Sequence, residues 1–156
     1  MNAPMQRLRA EIASDRRAFE ARVDELAALE LHEPSPSTLA HAAVTLHHAF
    51  GAVEALLARV ARALEGTGLE GPDSHRALLE AMALDVESVR PAVLSTESLV
   101  LLRRLLGFRH FFRHAYAVSF EAERMEALRT DAKALREPLA ADLDRLDAFL
   151  RDVAGA

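Results

Sequence analysis

The sequence has no cysteine. That absence removes disulfides, thiolate metal sites and cysteine nucleophiles together, takes thiol redox chemistry out of consideration and fits a reducing compartment. Lysine occurs once, at Lys133, so almost all of the positive charge is arginine. No uncharged run is long enough to span a bilayer, and no apolar stretch precedes the charges of the first residues, so a soluble, cytoplasmic protein without a membrane partner is expected. The formal net charge of −5 gives no global basic footprint of the kind that marks duplex-DNA binders. Any nucleic acid would have to be met locally. Nowhere does apolar and polar alternation run between hairpin turns, and there is no internal repeat or low-complexity tail.

What remains is helical periodicity. At 156 residues the chain reads as one domain, 1–156, large enough for a core without covalent staples. Leu8, Ile12, Phe19, Val23 and Leu26 recur at helical spacing in a first amphipathic segment, Met5 to Leu31. Glu33-Pro34-Ser35-Pro36-Ser37 breaks it, and a serine of that stretch can cap the next helix. That second helix, about Ser37 to Leu64, carries Leu39, Ala43, Leu46, Phe50, Val53, Leu57 and Val60 and stops at Gly66. After Gly71 and Pro72, with Asp73 or Ser74 as N-cap, comes a short helix from about Ser74 to Leu84. Arg90-Pro91 and the serines at 95 and 98 form the next break. A long charged helix, Glu121 to Val153, closes the chain, with Pro138 expected to interrupt and kink it. The class is all-α: an antiparallel bundle of four long helices plus one short helix.

Between the third break and the last helix lies the stretch with the most chemistry, Arg109-His110-Phe111-Phe112-Arg113-His114-Ala115-Tyr116, which holds the sole tyrosine. From Ser98 to Phe120 there is no Asp or Glu, so Arg103, Arg104, Arg109 and Arg113 make a local positive region suited to an anion. At about 100° per residue, Leu101, Leu105, Phe108, Phe112 and Ala115 fall on one core-facing stripe. Arg109, His110, Arg113, His114 and Tyr116 fall on the opposite arc, away from the subunit's own core. Arg109 and His114, separated by about 140° around the axis, share no stripe. Either the Arg arm bends across, or a second copy supplies the missing partner.

An Arg, four residues, a His, one residue and a Tyr, on the penultimate helix of a small all-α chain, resembles the HEPN superfamily, and specifically HepT-like ribonuclease toxins. The segment Leu46-His47-His48-Ala49-Phe50-Gly51-Ala52-Val53-Glu54 is similar to that family's apolar and aromatic helix ahead of a Glu. Ser74 to Leu79 followed by Arg90-Pro91 is similar to its short helix and loop. The likeness covers about Thr38 to Leu128. It implies a metal-independent endoribonuclease working as a homodimer on an RNA substrate, the toxin of a toxin–antitoxin pair whose partner is a minimal nucleotidyltransferase antitoxin. Arg109 and His114 are then the catalytic pair, with His110 and Arg113 as auxiliary or substrate-positioning residues. Tyr116 is an auxiliary residue or the site at which the partner attaches adenylate. His110 stands where the family more often has Asn or Asp.

The residue types suit that chemistry. An imidazole ordinarily titrates near neutrality and can serve as general base or general acid. A guanidinium binds phosphate through paired hydrogen bonds and stabilises charge in the transition state. No metal and no cofactor is expected, because Arg109 and Arg113 beside His110 and His114 repel a cation. A different class stays open: a non-catalytic HEPN partner that binds nucleotides or scaffolds a nucleotidyltransferase with the same motif. The bland reading of the arginines and histidines is a solvated helix face. His41, His47 and His48 are read as structural, and Glu54 as either a cleft neighbour or a salt-bridged flank residue.

Overall fold

The computed structural model describes residues 2–66, 68, 70–114 and 121–155, with Arg113 and His114 described by backbone alone. Five helices account for them: α1 (Ala3–Ala27), α2 (Pro36–Glu65), α3 (Ser74–Met82), α4 (Thr96–His114) and α5 (Ala122–Gly155). Among the described residues there is no strand, only a single bridge between Val86 and Arg90. No helix among them is long and apolar enough to cross a membrane. The expected all-α, HEPN-like bundle is what forms.

The helix boundaries follow local chemistry. Ser35 caps α2 by accepting from the Thr38 amide at 3.2 Å, with Pro36 in the first turn where its missing N–H costs nothing. Gly66 ends α2 at φ +72°, a left-handed conformation that glycine adopts without a Cβ penalty, and its N–H reaches the Arg62 carbonyl. Asp73 stands at the N-cap of α3, yet its side chain makes no capping hydrogen bond. Pro138 lies inside α5, which continues unbroken on both sides of it. The single helix expected over 121–153 forms with the proline inside it, because Leu135, Leu139 and Leu143 keep one face buried through the proline and packing outweighs one missing backbone bond.

Ion pairs between helices reveal their directions. Asp15 of α1 meets Arg59 of α2 while Glu25 meets His41, so the two helices run antiparallel. Arg9 pairs with Asp147, and Asp24 with Arg136, so α5 also runs antiparallel to α1. Ser95 bonds Asp142 and Arg104 pairs with Asp131, which reverses α4 against α5. Between these layers Phe19, Leu26, Phe50, Leu57, Leu102, Phe108, Met125 and Leu135 are fully buried in one continuous core. Each such side chain contributes roughly 1.5–3 kcal/mol by leaving water.

Two buried charges organise the connection from α3 to α4. Arg90 donates to the carbonyls of Leu84 at 2.9 Å, Ala81 at 3.0 Å and Pro91 at 3.2 Å, and pairs with Glu65 at the end of α2. Its positive charge sits at the C-terminal ends of α2 and α3, where the helix dipole favours a cation. Asp142, 1% exposed on α5, accepts from the Ser95 amide at 3.0 Å and the Ser95 hydroxyl at 3.1 Å. The Ser95 hydroxyl oxygen in turn accepts from the Ser98 amide at 3.2 Å, capping α4. In a capping box the residue at the third helical position reaches back to the cap's N–H. Here Ser98 stands at that position and Asp142, far away in the chain, performs the task.

Asp142→Ala strips the Ser95 amide of its acceptor and is expected to lower unfolding free energy in urea by about 1.5–3 kcal/mol. Arg9 holds the Asp147 carboxyl below the usual carboxylate range, chiefly by a hydrogen bond and secondarily by its charge. A depressed native value contributes stability above the unfolded-state value of about 3.9, and that contribution is lost as pH falls through the lowered native one. Asp147→Asn is therefore expected to flatten the loss of stability below about pH 4, measured by urea midpoints across an acid titration.

Candidate functional site

On α4 Leu101, Leu105 and Phe108 face the core, as the spacing predicts, Leu102 joins them, Phe112 is half-buried and Ala115 lies outside the described residues. Arg109 comes directly after Phe108 and does not look away from the subunit as expected. Its side chain is 14% exposed and turns toward α2, where a guanidinium nitrogen lies 3.7 Å from Oε1 of Glu54. The other oxygen of the same carboxylate, Oε2, lies 2.5 Å from Nδ1 of His75, the second residue of α3. One acid thus joins three helices. The arrangement is possible because Val53 and Leu57 on either side of Glu54 are fully buried, which fixes the register of α2 behind the site.

These groups border an open cleft of about 530 Å³ between α3 and α4, whose charged and polar lining is Asp73, His75, Arg76, Arg103, Arg109 and His110. Three arginines and one aspartate line it, and Glu54 and Glu80 beside it pair with two of those arginines, so the charges around the cleft nearly cancel. The cleft between α1 and α5 is likewise balanced, Arg9 by Asp147 at 2.6 Å and Arg16 by Asp144 at 2.8 Å.

Among the described side chains, three arginines of the acid-free run from Ser98 to Phe120 are opposed by acids. Arg103 is held by both oxygens of Glu80 at 2.7 Å each, Arg104 by Asp131 at 3.1 Å, and Arg109 by Glu54. Neighbouring helices supply the acids that α4 lacks, and the positive field of the motif is smaller than the spacing of charges along the chain suggests. Arg76 stands exposed at the cleft rim, where its charge adds to that of Arg109.

Of the expected site residues, Arg109 and His110 come together on this cleft. Arg113 and His114 occupy the last turn of α4 by backbone, with their side chains outside the described residues, and Tyr116 lies outside them altogether. His47 of α2 stacks on Phe112 with ring centroids 4.9 Å apart, and Arg124 of α5 lies 4.6 Å over the Phe111 ring, so both aromatics serve to seat the end of α4. His41 pairs with Glu25, as a structural histidine should. Glu54 is ion-paired, and both of its partners, His75 and Arg109, line the cleft. His75 and Arg76 carry no signal in linear spacing that would have linked them to Arg109. Among the described residues no group of three or more His, Asp or Glu side chains is arranged to hold a metal ion.

Glu54 competes with any anion for Arg109. Glu54→Gln keeps the side chain's shape and removes its charge, so it is expected to tighten binding of inorganic phosphate to the cleft by about 3–10-fold, within the range of a partly exposed ion pair. Calorimetric titration of the wild type and the variant checks this.

No curated protein and no solved structure matches the chain. A family model described as HepT-like protein matches residues 41–150, from the first turns of α2 to the last turns of α5. That span includes Glu54, the α3 and α4 walls of the cleft and the entire Arg109 to Tyr116 stretch. The chain belongs to the HepT-like family of the HEPN superfamily.

Proposed function

We propose that this chain, acting as a single HEPN-like domain over 1–156, is the toxin of a HEPN and nucleotidyltransferase pair, a metal-independent endoribonuclease that works as a homodimer in the cytoplasm. The observation that carries the reading is the position of Arg109. The arginine that opens the Arg-x4-His-x-Tyr stretch is drawn into a cleft lined by three arginines and two histidines instead of being spread into solvent. A phosphodiester is the anion that such a cleft suits, with Arg109 donating to its non-bridging oxygens and stabilising the charge that grows on them during displacement.

His114 is the proton-transfer group of the motif. Its position about 140° around the α4 axis from Arg109 is reconciled by a two-fold, in which each subunit's motif meets its copy and Arg109 approaches the partner subunit's His114. His110 lines the same cleft as Arg109 and serves to position substrate, with Arg113 adding charge one turn on. Tyr116 is the point at which a minimal nucleotidyltransferase antitoxin would attach adenylate, blocking an anionic substrate by bulk and repulsion. A non-catalytic nucleotide-binding or scaffold role has its own support in the Glu54 and Glu80 ion pairs, which already neutralise two of the cleft's arginines.

Incubation of the purified protein with total transfer RNA in EDTA tests the reading. Cleavage by the wild type is expected, with the rate falling by about 10²–10⁴-fold in both Arg109→Ala and His114→Ala. A folded dimer free of adenylate that leaves every RNA intact, yet binds nucleotide, favours the scaffold role.

A further inference from the structure

Transesterification of RNA without a metal needs two proton transfers, one from the attacking 2′-hydroxyl and one to the departing 5′-oxygen. The Arg-x4-His motif holds only one histidine beyond the position adjoining its arginine. The cleft holds another. His75 lines it from α3, and its Nδ1 is engaged by Oε2 of Glu54 at 2.5 Å, which leaves Nε2 as the nitrogen for a ligand in the cleft. A carboxylate on one ring nitrogen fixes the tautomer and orients the ring. With the side chain 32% exposed, the ring is neither sealed in the core nor free to rotate in bulk solvent. The carboxylate that orients it is the one that also holds Arg109, so the proton acceptor and the phosphate ligand are set by a single group.

We propose, building on the ribonuclease reading above, that His75 is the general base of this cleft and Glu54 its positioning residue. Nε2 of His75 takes the proton of the ribose 2′-hydroxyl as O2′ bonds to phosphorus. The bond from phosphorus to O5′ breaks with its electron pair on O5′, which receives a proton from the partner subunit's His114. The products are a 2′,3′-cyclic phosphate and a 5′-hydroxyl, and each histidine returns to its starting state by exchanging one proton with water. Arg109 holds the non-bridging oxygens throughout. Glu54 stays ionised, keeps the His75 ring aimed and stabilises the imidazolium formed on it.

The test uses the intact dimer and two substrates: a ribodinucleotide, and a uridine 3′-phosphate aryl ester whose p-nitrophenolate leaves without being protonated. His75→Asn places an amide nitrogen where Nδ1 stood, so it can still donate to Glu54 while lacking Nε2. His75→Gln is the second variant, and thermal melting together with phosphate affinity reports that each is folded with its cleft intact. Turnover of both substrates is expected to fall by about 10²–10⁴-fold in these variants. His114→Ala is expected to lose the dinucleotide and to recover most of its activity on the aryl ester. Glu54→Gln should lose about 10–100-fold in kcat without a rise in KM. Folded His75 variants that cleave both substrates at the wild-type rate overturn the proposal and leave the ribonuclease reading standing. Recovery of the His75 variants on the aryl ester overturns the assignment as base. A wild-type protein inactive on both substrates and on the transfer RNA panel overturns the ribonuclease reading itself, and the His75 role with it.

Discussion

Asp142, buried on α5, accepts from the amide and hydroxyl of Ser95 and so completes from a distance the cap that Ser95 and Ser98 leave half made. A buried carboxylate is tolerated only where donors surround it, and here Ser95 and Arg145 provide them. The consequence reaches beyond local stability. Ser95 is the point at which the chain turns from its loop into α4, and with that point fixed against α5 the register of Leu102, Leu105 and Phe108 in the core is set. Arg109 is then delivered to α2 as a matter of helical geometry. Arg90 secures the other side of the same loop by binding carbonyls at the ends of α3 and pairing with Glu65.

The site is a balance of charges drawn from separate helices. α4 carries arginines and no acid through its motif, while α2, α3 and α5 each return one carboxylate to it: Glu54, Glu80 and Asp131. The pairings keep several arginines close together in a chain whose net charge is negative, because like charges at such spacing would otherwise repel. An anion entering the cleft would have to compete with Glu54 for Arg109. Glu54 is the most consequential of the three, since its two oxygens serve different partners, the Arg109 guanidinium and the His75 ring.

Much of the bundle was legible in the chain. The apolar spacing located α1, α2 and α5 to within a few residues, Ser35 and Gly66 marked the ends they cap, and the break at 90–98 separated α3 from α4. Pro138 sits inside α5 without ending it, because the loss of one backbone hydrogen bond counts for less than the burial on either side of it. For the site, the pattern around Arg109 pointed to the correct helix and to the HepT-like family to which the chain belongs. The expectation that Arg109 faces away from the core failed, since a helical wheel orders side chains around one axis and carries no information about which neighbour stands beside each.

Sequence by itself determined the helix count, the stop of α2 at Gly66, the core-facing stripes and the concentration of Arg and His near the end of α4, because each is a relation between residues within a turn or two of one another. Tertiary structure alone decided that Glu54, His75 and Arg109 form one cluster, that Asp142 completes the cap of α4, and that Arg103, Arg104 and Arg109 are paired from other helices. Those contacts join residues on different helices, tens of positions apart, and their geometry depends on how the helices pack. No local periodicity encodes that packing, which emerges only when the buried faces of all five helices are satisfied at once.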